Sequence, residues 1–538
     1  MPLGARMSAR AYHEATKHSP ESVRGNRHFL DWDNMPIPFK VYTSLEPRSI
    51  AREFHASPTP ALRAIAGSQE PDPATPVDLA AIAHLLYFTA GVLRRRATPI
   101  GDTFFRAAAC TGNLHHIELY LACASLPDLD AGVYHFGAHD FALRRLRAGD
   151  PRAHLVEATA REPHVTDAPA VLALTTTYWR NSWKYQARAY RHAWWDGGTQ
   201  LANLLAVAAA RRLPAHVVLG FADDVVNRLL DVDPAREATI ALVALGHGAP
   251  APSPAPPLDA LAYDVLPVSK HEVEYPEIPA AHAGGALAAP ADVARWRAAV
   301  ESEGIASPPA SQSLHAPDDP APVDEVEALS PPGGTVVPLA PAPHADGLTE
   351  PVEAVILRRG SARVFVREPI AFGDLSAILR AATAPIPCDF LPPGARRADL
   401  YLVAHAVDGL ASGTWWFDAE RGALVLLRPG SFRPEAGFLG LGQEIPADAA
   451  VNLYWLTALD PLLARLGERG YRAAQLEAAI GGGRTYLAAY ALGLGASGLT
   501  FFDDSVTEFF SPHGAGKSVM FLMAVGVERR LRRRSPAG

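Results

Sequence analysis

The chain has 538 residues, of which 49% are hydrophobic, with a net charge of −8 and three cysteines. That length allows two to four domains and ample apolar side chains for two large cores. The acidic balance excludes a general nucleic-acid or membrane binder, and the lone basic block, 529–534, reads equally as a solubilising tail. Cys110, Cys123 and Cys388 lack metal-ligand spacing, which points to no metal and a reducing, cytoplasmic setting. The first residues lack a signal peptide's apolar core, and no run of about 18 apolar residues suggests a transmembrane helix.

Residues 1–60 are polar and aromatic, and DWDNMPIPFKVY (31–42) is Pro-broken, an extended arm expected to pack on a neighbouring domain. A first domain is expected over 61–250. VDLAAIAHLLYFTAG (77–91) is an amphipathic helix stopped by Gly91. Strands follow over 117–124 and 132–136, joined by a short turn, and a buried strand over 171–178. A long apolar helix is expected over 198–212, with Asp196 as its cap and Pro214 as its stop. Residues 251–350 are Pro/Ala-rich and read as a stiff connector. Two islands interrupt it: HEVEYPEIP (271–279), suited to lie along a groove, and PADVARWRAAV (290–300), a short helix. A second domain is expected over 351–538.

The two domains are copies. Residues 118–150 reappear without a gap at 399–431, 281 positions further on, with Leu119/Leu400, Tyr120/Tyr401, Gly132/Gly413, Phe136/Phe417 and Leu143/Leu424 identical. The offset persists downstream, where Tyr190-Arg191 meets Tyr471-Arg472 and Phe221 meets Phe502. Residues 369–382 then match the helix at 77–91, and 482–498 match the long helix. The order of elements predicts an α+β domain with a central, mostly antiparallel sheet in each copy. Two copies in one chain can pair as a homodimer would, giving an intramolecular pseudo-dimer that needs no second chain.

Four segments carry candidate chemistry. Arg358-Arg359-Gly360-Ser361-Ala362-Arg363 can grip a phosphate through guanidinium forks, or be an exposed basic turn. Gly493-Leu494-Gly495-Ala496-Ser497-Gly498 can bring backbone close to a flat ligand, or end a helix. Cys110-Thr111-Gly112-Asn113 can line a cofactor, or turn the chain into a strand. Lys184-Tyr185 can act as a general acid/base pair if burial shifts their pKa values, or lie on an amphipathic helix face. GAGKS (514–518) is not a phosphate-binding loop, because Ser511 stands where the first glycine is required.

These segments, with FRAAACTGNLHHIELYL, AGVYHF, ALRRLRAGD and WKYQARAYRHAWWDGGTQLANLL, resemble the nitroreductase-like flavoproteins, and among them the SagB-type dehydrogenases, azoline oxidases of ribosomal peptide maturation. The resemblance spans nearly all of the chain outside the connector. It implies FMN bound at the seam between copies. Arg358, Arg359, Ser361, Arg363, Gly493, Leu494, Gly495, Arg529 and Arg530 would hold it from one copy and Thr111, Gly112 and Asn113 from the other. Lys184 and Tyr185 would move the proton while FMN takes a hydride. It also implies a small-molecule or peptide substrate and partner enzymes of peptide maturation.

The copies differ in a complementary way. Aligning the helices at 77 and 373 sets Arg63, Ile65 and Gly67 against Arg359, Ser361 and Arg363. Leu391-Pro392-Pro393-Gly394 stands against Cys110-Thr111-Gly112-Asn113, and Arg465-Leu466 against Lys184-Tyr185. One composite site, and so one FMN per chain, is expected. An NAD(P)H-dependent nitro, quinone or enone reductase and a flavin-free scaffold for peptides or partner enzymes are the alternatives.

Overall fold

The computed structural model describes residues 6–98, 101–254, 257–302, 335–341 and 349–529. In the first copy, strands β1 (Ile117–Cys123), β2 (Gly132–Gly137), β3 (Ala142–Ala148), β4 (Ala170–Thr177), β5 (Ala215–Val218) and β6 (Glu237–Leu245) form a sheet in the order β3-β2-β1-β4-β6-β5. The second copy repeats this with β7 (Ala398–Ala404), β8 (Gly413–Asp418), β9 (Ala423–Pro429), β10 (Val451–Thr457), β11 (Gly495–Leu499) and β12 (Ser518–Glu528), in the order β9-β8-β7-β10-β12-β11. All of these pairings are antiparallel. β6 is buried along its whole length, and its near-continuous apolar run, EATIALVAL, suits a strand covered on both faces. No described helix is long and apolar enough to cross a membrane.

Four helices organise the seam: α1 (Ala9–Ala15), α2 (Ala189–Ala210), α3 (Glu277–Gly284) and α4 (Arg469–Ala491). The long α2 and α4 are equivalent and pack on one another. A Cβ on Gly198 would lie 2.4 Å from the Cβ of Ala479, and one on Gly483 2.5 Å from that of Ala202. Gly198/Ala479 and Ala202/Gly483 are each equivalent positions at the 281 offset, so each touches its own counterpart. A pseudo-two-fold axis passes between them, and one member of each pair must lack a side chain for the helices to meet.

Two buried ion clusters obey the same symmetry. Arg188 and Arg191 of the first copy reach Asp503 of the second at 2.9 and 2.5 Å. Arg469 and Arg472 of the second reach Asp223 of the first at 2.5 and 2.8 Å. Burial alone would raise both carboxyls, but the paired guanidinium groups overcome it and hold them well below the usual carboxylate range.

One stretch of the arm and one of the connector prove to be equivalent, so the described part of 251–350 is more than a spacer. Asp503 exchanges backbone and side-chain hydrogen bonds with His18, and Asp223 does the same with Leu287. His13 sits 3.3 Å from the Tyr471 hydroxyl, and His282 3.3 Å from the matching Tyr190 hydroxyl. So α1 and α3 are counterparts, each leading its own copy and packing across the seam. The helix expected at 290–300 is present as Pro290–Glu301, with Trp296 buried. The extended segment 37–43 lies along 264–268, through Ile37 to Val268 (2.7 Å) and Thr43 to Asp264 (2.8 Å).

One expected cap is overturned. The long helix begins at Ala189, so Asp196 lies inside it rather than at its start. It is buried there, and its partners explain it below.

Candidate active site

The loop Ala107–His116 of the first copy enters β1 through a one-turn helix, Thr111–Asn113. Asp196 is its anchor. The carboxylate accepts the Thr111 amide at 2.9 Å, the Thr111 hydroxyl at 2.7 Å and the Cys110 thiol at 3.1 Å, and meets His116 Nε2 at 2.8 Å. Burial first, and then the Asp196 charge, pushes the Cys110 thiol well up, so it stays a donor. The Asn113 amide donates to the Phe104 carbonyl at 2.9 Å. The Thr111 hydroxyl thus keeps only its acceptor lone pairs for a ligand, while the Asn113 side chain keeps its carbonyl oxygen and one N–H. Gly112 has φ +62°, and a Cβ there would stand 2.8 Å from the Tyr185 hydroxyl, so glycine is required on both counts.

The second copy delivers its arginine segment to this loop. Arg359 donates to the Ala107 carbonyl at 3.0 Å and lies over the Tyr486 ring. The Ser361 hydroxyl is 3.2 Å from the Tyr486 hydroxyl, which also accepts the Gly498 amide at 2.6 Å. Arg363 is exposed, and among the described residues its guanidinium has no hydrogen-bond or ion-pair partner. Arg529 joins the segment through its amide, which donates to the Val364 carbonyl at 3.0 Å. Arg530 and the rest of the basic tail lie outside the described residues. Arg358 is directed elsewhere, to the Tyr490 carbonyl at 2.7 Å and to Glu350.

The glycine segment has a structural explanation. Gly493 (φ +77°) ends α4, with its own amide bonded to Tyr490 and that of Leu494 to Ala489. A Cβ on Gly495 would come within 2.8 Å of Glu528 Cβ and 3.1 Å of Ala362 Cβ. Gly495 therefore lets the Ser361–Arg363 turn lie against β12.

Lys184 and Tyr185 end the helix Tyr178–Tyr185 of the first copy. Burial and then the like charge of Arg363 depress the Lys184 amine, while burial pushes the Tyr185 phenol up. Arg363 also acts on Tyr185, so the pair, the loop and the arginine segment meet at one seam. The chain leaves this helix through Gln186 at φ +51°, where the second copy has Gly467. A non-glycine residue in the left-handed region beside a candidate acid/base pair is local strain of the kind that collects at functional sites.

The pseudo-symmetric position is chemically different. Pro60 and Pro351 pair across the seam, each capping the helix that follows it. That pairing sets an offset of 291 at the starts of the two helices, which then differ in length, Ala61–Ile65 against Val352–Arg358. The stretch 61–72 of the first copy holds a single arginine, Arg63, and no counterpart of the Arg359-Gly360-Ser361-Ala362-Arg363 run. A cavity of about 380 Å³ remains there, lined by Ile65, Arg212, His216, Ile386, Cys388 and Leu391 among others. Its loop is pinned by the Val217 amide on the Pro387 carbonyl (2.9 Å) and by Asp389, which accepts the Leu219 and Gly220 amides at 2.7 and 2.9 Å.

A larger cavity of about 730 Å³ lies between 267–288 and the helices Tyr178–Tyr185 and Asp223–Leu230, and none of the candidate residues lines it. In the GAGKS segment, Lys517 binds Asp399 and Tyr401 rather than a loop-bound phosphate. Asp196, Tyr486 and the Ala107 carbonyl escaped the sequence reading. A lone acid inside a nearly apolar helix was the one signal available, for Asp196.

The seam fits a phosphorylated flavin. An unpaired guanidinium, a serine hydroxyl and a second basic residue form an anion-seeking end, and the anchored loop offers acceptors and the second Asn113 N–H at the other.

A model of the nitroreductase family matches residues 73–247 and again 356–527. A putative nitroreductase from Anabaena variabilis ATCC 29413 is 25% identical, with a TM-score of 0.74 over 97% of this chain and 100% of its own. A putative nitroreductase from Ralstonia eutropha JMP134 aligns at 20% identity over 42% of this chain and 97% of its own, with a TM-score of 0.31. A chain of the E. coli microcin synthetase McbBCD complex with truncated pro-MccB17 aligns at 18% identity over 46% and 90%, with a TM-score of 0.29. No curated protein matches.

Proposed function

Since this chain belongs to the nitroreductase family, we propose that it is an FMN-dependent oxidoreductase of the SagB type. Its substrate is a peptide-derived or small heterocyclic compound, and enzymes of peptide maturation are its partners. The observation that carries the reading is the meeting of the arginine segment of one copy with the Asp196-anchored loop of the other, where Arg359 donates to the Ala107 carbonyl and Gly112 lies against Tyr185, with Arg363 near enough to act on Lys184 and Tyr185. The other copies of these segments have no Arg-x-Ser-x-Arg run and a proline-rich loop instead.

Bound FMN would supply hydride acceptance from a substrate carbon. Ser361, Arg363 and Arg529 would hold its phosphate, and Gly112 would let the loop approach. Lys184 is the proton acceptor, because burial and Arg363 both favour its neutral amine. Tyr185 keeps its proton and serves as donor and orienting group. Asp196 fixes the loop through Thr111 and His116.

The test is the visible spectrum and flavin content of the purified protein. One FMN per chain, lost in Arg363→Gln, is expected. Two FMN per chain, or a colourless protein that takes up no added FMN, would overturn the reading. Flavin reduction by a heterocyclic substrate but not by NAD(P)H separates the oxidase from a reductase.

A further inference from the structure

A cluster of potential metal ligands lies away from the candidate active site, where the edge strand of the first copy borders the pseudo-symmetric cavity. Glu162 and His164 come from the turn and short helix that precede β4, and His216 comes from β5. One ligand atom from each lies within 4.8 Å of the other two. The His164 and His216 rings are stacked face to face, with centroids 3.7 Å apart and planes within 3°. Glu162 is buried, accepts the Val165 amide at 2.8 Å and meets His164 Nδ1 at 2.9 Å.

Three features distinguish this group from an ordinary packed trio. His216 has no hydrogen-bond partner among the described residues, so its ring nitrogens are available. His164 has a side chain 56% exposed, which gives an ion access and gives the ring room to turn toward it. The 281 offset puts Gln443, Ile445 and Ser497 at the equivalent positions of the second copy, so the trio is not part of what the two copies share.

We propose that Glu162, His164 and His216 form a site for a divalent transition-metal ion of the zinc type, with water completing the coordination. Two imidazoles and one carboxylate are a donor set that Zn²⁺ accepts, at roughly 2.0–2.2 Å per ligand. The ion replaces the proton shared by Glu162 and His164. The ion ties the turn before β4 to β5, the strand whose Val217 pins the loop of the second copy. Its role is that of a staple beside the cavity at the pseudo-symmetric position.

The test uses the full-length protein, stripped with EDTA, dialysed and titrated with Zn²⁺ by calorimetry and with Co²⁺ by visible absorption. One ion per chain is expected, with affinity falling roughly tenfold or more in His164→Ala and in Glu162→Gln. Zn²⁺ should raise the Tm of the wild type and not of either variant. The Co²⁺ complex should lack a thiolate charge-transfer band, which distinguishes it from binding at Cys110, His116 and Asp196. Binding of no ion, equal binding by His164→Ala, or a thiolate band would overturn the proposal. His164 is half-exposed, so its variant remains folded even if Glu162→Gln does not.

Discussion

The ion clusters and the cofactor positions are both related by the pseudo-two-fold axis, yet they have fared oppositely. Asp223 with Arg469 and Arg472, and Asp503 with Arg188 and Arg191, are the same device made twice. At the candidate cofactor positions, the Arg359-Gly360-Ser361-Ala362-Arg363 run has no counterpart in residues 61–72, and Thr111-Gly112-Asn113 corresponds to Pro392-Pro393-Gly394. The difference follows from what each group does. Both ion clusters are needed to seat one copy on the other, whereas one site suffices for a reaction once the copies are joined in one chain.

The sharpest way to break this comparison is to remove one buried carboxylate. Asp503→Ala should destabilise the fold by about 3–5 kcal/mol, because two guanidinium groups stay buried without a counter-charge. Asp223→Ala should cost a similar amount in urea denaturation. Unequal losses would show that the clusters are equivalent in geometry only.

The axis itself can be tested next. Gly198→Ala places two Cβ atoms 2.4 Å apart and should cost about 1–3 kcal/mol in thermal unfolding. Adding Ala479→Gly should restore most of it, since either member of the pair can be the glycine. Failure of the rescue would move the axis away from this pair.

The smallest expected effect concerns Lys184. As a proton acceptor it works in its neutral form, so the rate should rise with pH through a pKa below that of free lysine. Arg363→Gln, measured with saturating FMN, removes a like charge and should move that limb to higher pH. An unmoved limb would separate Lys184 from Arg363.

Much of this was legible in the chain. A gapless 281 offset can only arise from duplication, and the runs around β1–β3 and β7–β9 show their period directly. The loop at 110–113, the arginine segment and Lys184-Tyr185 stood out by residue type, and the structure brings members of all three to one seam. The glycine segment at 493–495 was equally visible, but a pattern of glycines does not say whether a ligand, a helix end or a close strand requires them. Here the helix end takes Gly493, and the contact with Glu528 and Ala362 takes Gly495.

By itself the sequence determined two copies, their α+β architecture and which copy carries which candidate half-site, because these are encoded in local pattern and residue type. Only the tertiary structure decided that α1 of the arm and α3 of the connector are counterparts, that Pro60 pairs with Pro351 at an offset of 291, and that Asp196 anchors the loop instead of capping a helix. Those facts depend on which groups are buried against one another across long stretches of chain, 80 residues for His116 and Asp196. Insertions of different length in the two copies hide such pairings from any fixed spacing. Burial then fixes their energies, by making an unpaired charge or a misplaced Cβ too costly to tolerate.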